Sequence, residues 1–265
     1  MSLEYCTPLD IPKEVSQYDG NIPQLNVGKS GKIGLLQLEL QHDSEKKKTV
    51  ITHKKTQVPL YLQKALHYDM DYPSMAHLFI LSPSGGILQG DRYRMDVELK
   101  NNAISHQQII PYIDSRFYQK TELNIDDSST VVYSETIVPG RIAMGEMFDF
   151  DVCYLKTEGS IDKKIQFRDS SLLIPKEQKT NSITMFDDKT ILTSVYLISK
   201  KPIEKVNEMI NEMFSQLDEI SGSSSMMPNN SGLSVRILGN SSEDQKTTIY
   251  EILKIIRKEI LTGYI

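Results

Sequence analysis

From Gly34 to about Ser199 the apolar residues recur with a period of two, the spacing that sends alternate side chains to opposite faces of a strand. Arg92 to Lys100 shows it most plainly. Tyr93, Met95, Val97 and Leu99 fall on one face, and Arg92, Arg94, Asp96, Glu98 and Lys100 on the other. Leu36, Leu38 and Leu40 repeat the pattern, as do Phe148, Phe150, Val152 and Tyr154, and Ile191 to Ile198 forms a further run rich in β-branched residues. The period then changes. Pro202 suits a first helical position, and Ile203, Val206, Ile210, Met213, Phe214 and Leu217 follow at helical spacing. A Ser-rich stretch, residues 221 to 232, reads as the loop that ends this helix, and Leu233 to Leu238 as a short strand. A second helix follows, with Ser242 and Gln245 in capping-box spacing, an apolar stripe of Ile249, Ile252, Leu253, Ile256 and Ile260, and Gly263 as its stop. The expectation is a single domain over 1–265, with a β body at about 34–200 and a helical part at about 202–265.

Composition narrows the class. The chain has 265 residues, 39% hydrophobic and 25% charged, with a net charge of −5, which suits a soluble globular protein long enough to bury a core. An acidic balance argues against a nucleic-acid partner, and the lone Lys run, Lys46 to Lys48, sits in a polar turn between strands. Cys6 and Cys153 form neither a C-x-x-C pair nor a disulfide framework, so a reducing compartment is expected. The N-terminal residues lack a basic segment followed by an apolar one, and no run approaches the ~18 apolar residues of a spanning helix. A cytoplasmic location without membrane association follows.

The usual catalytic motifs fail. Gly28-Lys29-Ser30 resembles the end of a phosphate loop, but Pro23 stands where its first glycine belongs. The five histidines, His42, His53, His67, His77 and His106, include no H-x-x-x-H pair, and no G-x-S-x-G elbow is present. Two runs remain in which glycine and charge coincide beside strong strand patterns. One is Gly85-Gly86-Ile87-Leu88-Gln89-Gly90-Asp91-Arg92, and the other is Pro139-Gly140-Arg141-Ile142-Ala143-Met144-Gly145-Glu146. Each brings a carboxylate to a tight turn where the backbone can approach closely. From the residues alone, two ordinary capped turns account for them equally well.

These runs carry a resemblance. GGILQGDRYRMDVEL resembles the G-G-x-x-x-G-D stretch of the urease accessory family UreD, called UreH in some systems. IIPYIDSRFYQKTEL is similar to its I-P-[FY]-x-x-[SA]-x-[FY]-x-Q segment, and ETIVPGRIAMGEMFDF to its E-x-x-x-x-G-R-x-x-x-G-E-x-F signature, in the family's order. The family usually carries a T-T-Q-x-A-x-K-x-Y run and a further strand pair between the equivalents of Ala103 and Ile109, where this chain has only Ile104 to Gln108.

The resemblance implies a mainly β fold, a β-helix-like stack of strands with two C-terminal α-helices. It implies a non-enzymatic chaperone for nickel insertion into urease apoprotein, working with UreF and the GTPase UreG, with no tightly bound cofactor and only transient nickel. Asp91, Glu135 and Glu146 become the expected carboxylates of a nickel route, since oxygen ligands release a borderline metal more readily than thiolate or imidazole sets. Glu135 stands in the largely apolar run Val131 to Val138, with Arg141 as an expected partner. Gly85, Gly86, Gly90, Gly140, Arg141 and Gly145 are the expected structural residues of the motifs. The competing expectations are a carbohydrate-active β-helix enzyme using Asp91 and Glu146 as a carboxylate pair, and a scaffold that never touches metal.

Overall fold

The computed structural model describes residues 11–17, 33–58, 60–67, 70, 73–81, 92–100 and 103–260. It is mainly β. The chain divides into two compact units, residues 1–101 with 264–265 and residues 102–263. Among the described residues no helix is long and apolar enough to cross a membrane.

The first unit contains a single helical turn, α1 (Lys13–Ser16), and the strands β1 (Ile33–Asp43), β2 (Lys48–Gln57), β3 (Tyr61–Leu62), β4 (Ile80–Leu81) and β5 (Arg92–Lys100). A three-stranded sheet runs β2-β1-β5, with β1 antiparallel to β2 and parallel to β5. Asp43 closes the β1–β2 turn by accepting the backbone N–H groups of Glu45 and Lys46, both at 3.0 Å. The Lys run thus starts in an exposed turn, and Lys48 opens β2. Leu36, Leu38 and Leu40 bury against Leu60 and Leu62, as their alternation predicts. On β5 the expected apolar face is not a buried one: Met95 and Val97 are each 47% exposed, while Asp96 between them is partly buried.

The second unit is layered. Its strands are β6 (Ala103–Ile109), β7 (Arg116–Ile125), β8 (Val131–Ile137), β9 (Val152–Ile161), β10 (Lys164–Leu173), β11 (Ile191–Ile198), β12 (Ser221–Met226) and β13 (Gly232–Gly239), with helices α2 (Glu204–Phe214) and α3 (Ser242–Ile260). A five-stranded sheet, β12-β13-β11-β8-β6, faces a three-stranded sheet, β10-β9-β7. Apolar side chains from both sheets meet between them, including Ile137, Leu155 and Leu173. The opposite face of the larger sheet carries the helices, whose Val206, Ile210, Phe214, Ile249, Ile252 and Ile256 pack on Val195, Leu197, Leu233, Val235 and Ile237. An 11-residue helix such as α2 is marginal in isolation, and each fully buried Ile contributes about 1.5–3 kcal/mol, so packing rather than propensity holds it.

Three local expectations change. The Ser-rich stretch is not a loop throughout: Ser221–Met226 pairs with β13 as an edge strand, and Asn211 of α2 bonds the backbone N–H and carbonyl of Ser224 at 2.9 and 3.0 Å. Helix α3 is capped by Ser241, whose Oγ accepts the Asp244 N–H at 3.2 Å, because Ser242 already lies in the helix. Gln245, expected as the box partner, is buried and donates to the Ile191 carbonyl at 3.2 Å. Helix α2 begins at Glu204 instead of Pro202, and its Leu217, past the last turn, is exposed. Gly263 lies outside the described residues.

Candidate functional site

Strand β8 is buried along its whole length because both faces of its sheet are covered. A period of two sends Val131, Tyr133, Glu135 and Ile137 between the two sheets and Val132, Ser134 and Thr136 toward the helices. Glu135 is therefore a carboxylate in the interior, 2% exposed. Its Oε2 accepts the Tyr133 hydroxyl at 3.0 Å. That hydroxyl in turn accepts Gln119 Nε2 of β7 at 3.2 Å and lies 3.3 Å from Thr121 Oγ1. Thr157 of β9 turns a buried hydroxyl toward Glu135, and Gln107, the β6 register partner of Glu135, has a buried Nε2 with no hydrogen-bond partner among the described residues. A buried charge with this little compensation is costly. Burial accordingly raises the Glu135 pKa, with the Tyr133 hydroxyl, the Arg236 charge and the Thr157 hydroxyl opposing it.

Beside this carboxylate the polar layer continues through an aromatic stack. The Tyr196 ring lies between Tyr133, 6.2 Å away, and Phe167, 5.3 Å away, both nearly parallel. Its hydroxyl donates to Asp169 of β10 at 2.6 Å and accepts Arg236 of β13 at 3.2 Å, while Arg236 also pairs directly with Asp169. Burial pulls the Arg236 pKa down and the Glu135 charge opposes the shift. Room for the Phe167 ring exists only because residue 159 is glycine: a Cβ there would overlap that ring. Cys153, fully buried nearby, has its thiol pushed up to about 12 by burial first and the Glu135 charge second. The polar layer lies between two apolar clusters, one containing Ile137, Phe150 and Leu155 and the other Val131, Ile161 and Ile198.

The expected partner of Glu135, Arg141, is engaged elsewhere, and the cation whose charge reaches Glu135 is Arg236, itself paired with Asp169. Arg141 pairs with Glu146 through Nε to Oε2 at 2.9 Å, and its guanidinium lies 4.5 Å over the Tyr112 ring. Its hydrogen bond is the main cause holding the Glu146 pKa below the usual range. The loop bends at Gly140 and Gly145, at φ 143° and 83°. A Cβ on Gly140 would stand 2.9 Å from the Glu146 carbonyl oxygen, so this glycine is required for close approach. Among the described residues no hydrogen bond or ion pair joins Glu135 to Glu146. Asp91, Gly85, Gly86 and Gly90 lie outside the described residues. Among the described residues no group of three or more His, Cys, Asp or Glu converges as a metal cage would.

Sequence reading missed Asp169, Tyr196, Arg236 and Gln119 as members of the polar layer that contains Glu135. They come from β10, β11, β13 and β7, and no spacing along the chain announces such a cross-sheet meeting. The one local signal was Arg236 itself, a charge set among Leu233, Val235, Ile237 and Leu238.

Residues 32–107 and 104–263 match the model of a family described as UreD urease accessory protein. The chain is similar to the urease accessory protein UreD of Cenarchaeum symbiosum (strain A), with 30% identity over 277 aligned residues, covering 91% of this chain and 96% of that protein. It is 26% identical to urease accessory protein UreD 2 of Brucella canis, covering 95% of each. It is 28% identical to urease accessory protein UreD of Photorhabdus laumondii subsp. laumondii, covering 94% of this chain and 89% of that one. The first alignment is longer than the 265 residues of the chain, and the two matched stretches meet at 104–107 within β6, where the expected shortening falls.

Proposed function

Because the chain belongs to the UreD family of urease accessory proteins, we propose that it is a non-enzymatic cytoplasmic chaperone for nickel insertion into urease apoprotein. In this proposal it acts in a complex with UreF and the GTPase UreG, and the β-helix-like stacking of strands belongs to the same reading.

One observation carries the nickel part: Glu135, a buried carboxylate that accepts the Tyr133 hydroxyl, stands in a layer of hydroxyl and amide groups between two sheets. A cation that must leave again is best met by few and weak oxygen donors, and a single interior carboxylate with hydroxyl groups beside it offers that. Ionised, Glu135 supplies the charge that offsets part of the desolvation of a passing divalent cation. Glu146 joins the route only by giving up Arg141, so its part is to exchange one cation for another at the loop. Asp91 is proposed as the third carboxylate. No cofactor is held tightly in this scheme, and nickel is cargo. A metal-free scaffold is the second reading, favoured by Arg236, whose positive charge acts on Glu135 and would repel a divalent ion.

The test is urease activity and bound nickel after activation with the variant Asp91→Asn/Glu135→Gln/Glu146→Gln, beside co-purification with UreF and UreG. The nickel reading expects activation and nickel content to fall while the complex persists. Full activation by the triple variant would remove the nickel role and leave the scaffold.

A further inference from the structure

Two loops of the second unit, residues 110–115 and 139–150, meet at one end of the sheets. Val138 N–H bonds the Ile109 carbonyl at 2.9 Å, Asp114 N–H the Asp149 carbonyl at 3.0 Å, and Asp151 N–H the Ser115 carbonyl at 3.0 Å. On this frame Ile110, Tyr112, Ile113, Ile142, Met144 and Met147 are each 41 to 73% exposed. A cluster of six large apolar side chains left in water on one end of a folded unit marks an interaction surface rather than scattered surface residues. The loops are also preset. Asp114 and Phe148 hold φ of 54° and 59°, in the left-handed region that non-glycine residues seldom adopt, and Arg141 clamps Glu146 while lying on Tyr112. Such a surface loses little conformational freedom when a partner arrives.

The charges at its rim select the partner. Arg141 and Lys176, the cations beside the patch, are already held by Glu146 and by Asp151, the latter at 2.6 Å. Asp149 and Asp187 have no cationic side-chain partner among the described residues, and Asp114 has only Lys176 at 3.7 Å. Met147 carries the patch into an open cavity of about 400 Å³, where Asp187 and Lys179 also lie and where Lys189 is taken up by Asp188. The free charge is thus mainly negative. A second copy of this chain would bring the same carboxylates against these, so self-association on this surface is disfavoured.

We propose that this loop end is a docking surface for a partner protein's amphipathic helix, whose apolar side chains cover the Ile113–Met144–Met147 patch and whose flanking Lys or Arg residues meet Asp114, Asp149 and Asp187. The proposal is independent of whether the carboxylates of the chain carry nickel. In such a contact the apolar anchors give affinity and the charged rim gives orientation and on-rate.

The experiment titrates the full chain with two labelled helical peptides, one of alternating Leu/Lys faces and one with Glu in place of Lys, read by fluorescence anisotropy. The Leu/Lys peptide is expected to bind at least about tenfold more tightly than its Glu counterpart, the size of a rim charge effect at a desolvated patch. The variant Ile113→Asp/Met144→Asp/Met147→Asp abolishes that binding while thermal melting shows the chain still folded, the three side chains being 45 to 73% exposed. Met144→Asp alone, at the most exposed position, weakens it in the same direction. Asp149→Lys/Asp187→Lys removes the preference between the peptides. Ile165→Asp, an exposed position on β10 outside the loops, leaves binding as in the parent. No binding by the parent, equal binding of the two peptides, retained binding by the triple variant, or equal loss in Ile165→Asp would each overturn the proposal.

Discussion

Replacing Gly159 by Ala is a one-methyl change whose cost follows from the interior of the second unit. The new Cβ would overlap the Phe167 ring and stand 2.7 Å from Ile198 Cδ1, closer than real Cβ contacts fall. Neither neighbour can swing into water freely. Ile198 is fully buried, and Phe167 is stacked on Tyr196, which is stacked on Tyr133. Overpacking of this kind costs about 1–3 kcal/mol. Each kcal/mol lowers Tm by about 2–4 °C in a chain of this size. The displacement should also reach Glu135, because the Tyr133 hydroxyl that bonds it belongs to the same stack. Urea denaturation would measure the loss, and near-ultraviolet circular dichroism would report the disturbed tyrosines. The Phe167→Leu background supplies the control, since a smaller side chain leaves space for the methyl and the double variant should cost less than the sum of the singles. Strict additivity, or a Gly159→Ala protein as stable as the parent, would refute the reasoning.

Ser241→Ala should destabilise by about 1 kcal/mol through loss of the α3 cap, while Ser242→Ala changes stability by a few tenths at most; equal effects in chemical denaturation would show the cap is misassigned. Glu135→Gln should alter how stability depends on pH. Burial raises the folded pKa of Glu135 above its ordinary value near 4.5, so the folded chain keeps a proton that the unfolded chain has released, and parental stability falls as pH rises from the unfolded toward the folded pKa. Gln has no such loss. The advantage of the variant over the parent is therefore smallest below about pH 4, grows through that window, and levels off above the folded pKa; a difference independent of pH from 4 to 8 would contradict a raised pKa.

Much of the architecture was legible along the chain, for a physical reason. Strand and helix periodicities report which side chains must leave water, and that demand is local: Ile191 to Ile198 and the stripes of α2 and α3 are buried where their spacing placed them. The family motifs likewise needed only contiguous residues. Gly140, Arg141 and Glu146 do meet in one loop, because their closure spans five residues.

What the sequence left undecided required distance along the chain to collapse. The Ser-rich stretch has weak strand propensity, and it becomes β12 because β13 and Asn211 satisfy its backbone groups. Arg141 was the nearer cation in sequence to Glu135, yet Arg236, one hundred and one positions on by numbering (236 − 135), acts on it, because β13 lies two strands from β8 across β11. Sequence by itself determined that a carboxylate would sit in an apolar strand, and tertiary structure alone decided its surroundings. Period and hydrophobicity choose a face, whereas the groups opposite that face come from whichever strands the sheet order brings together.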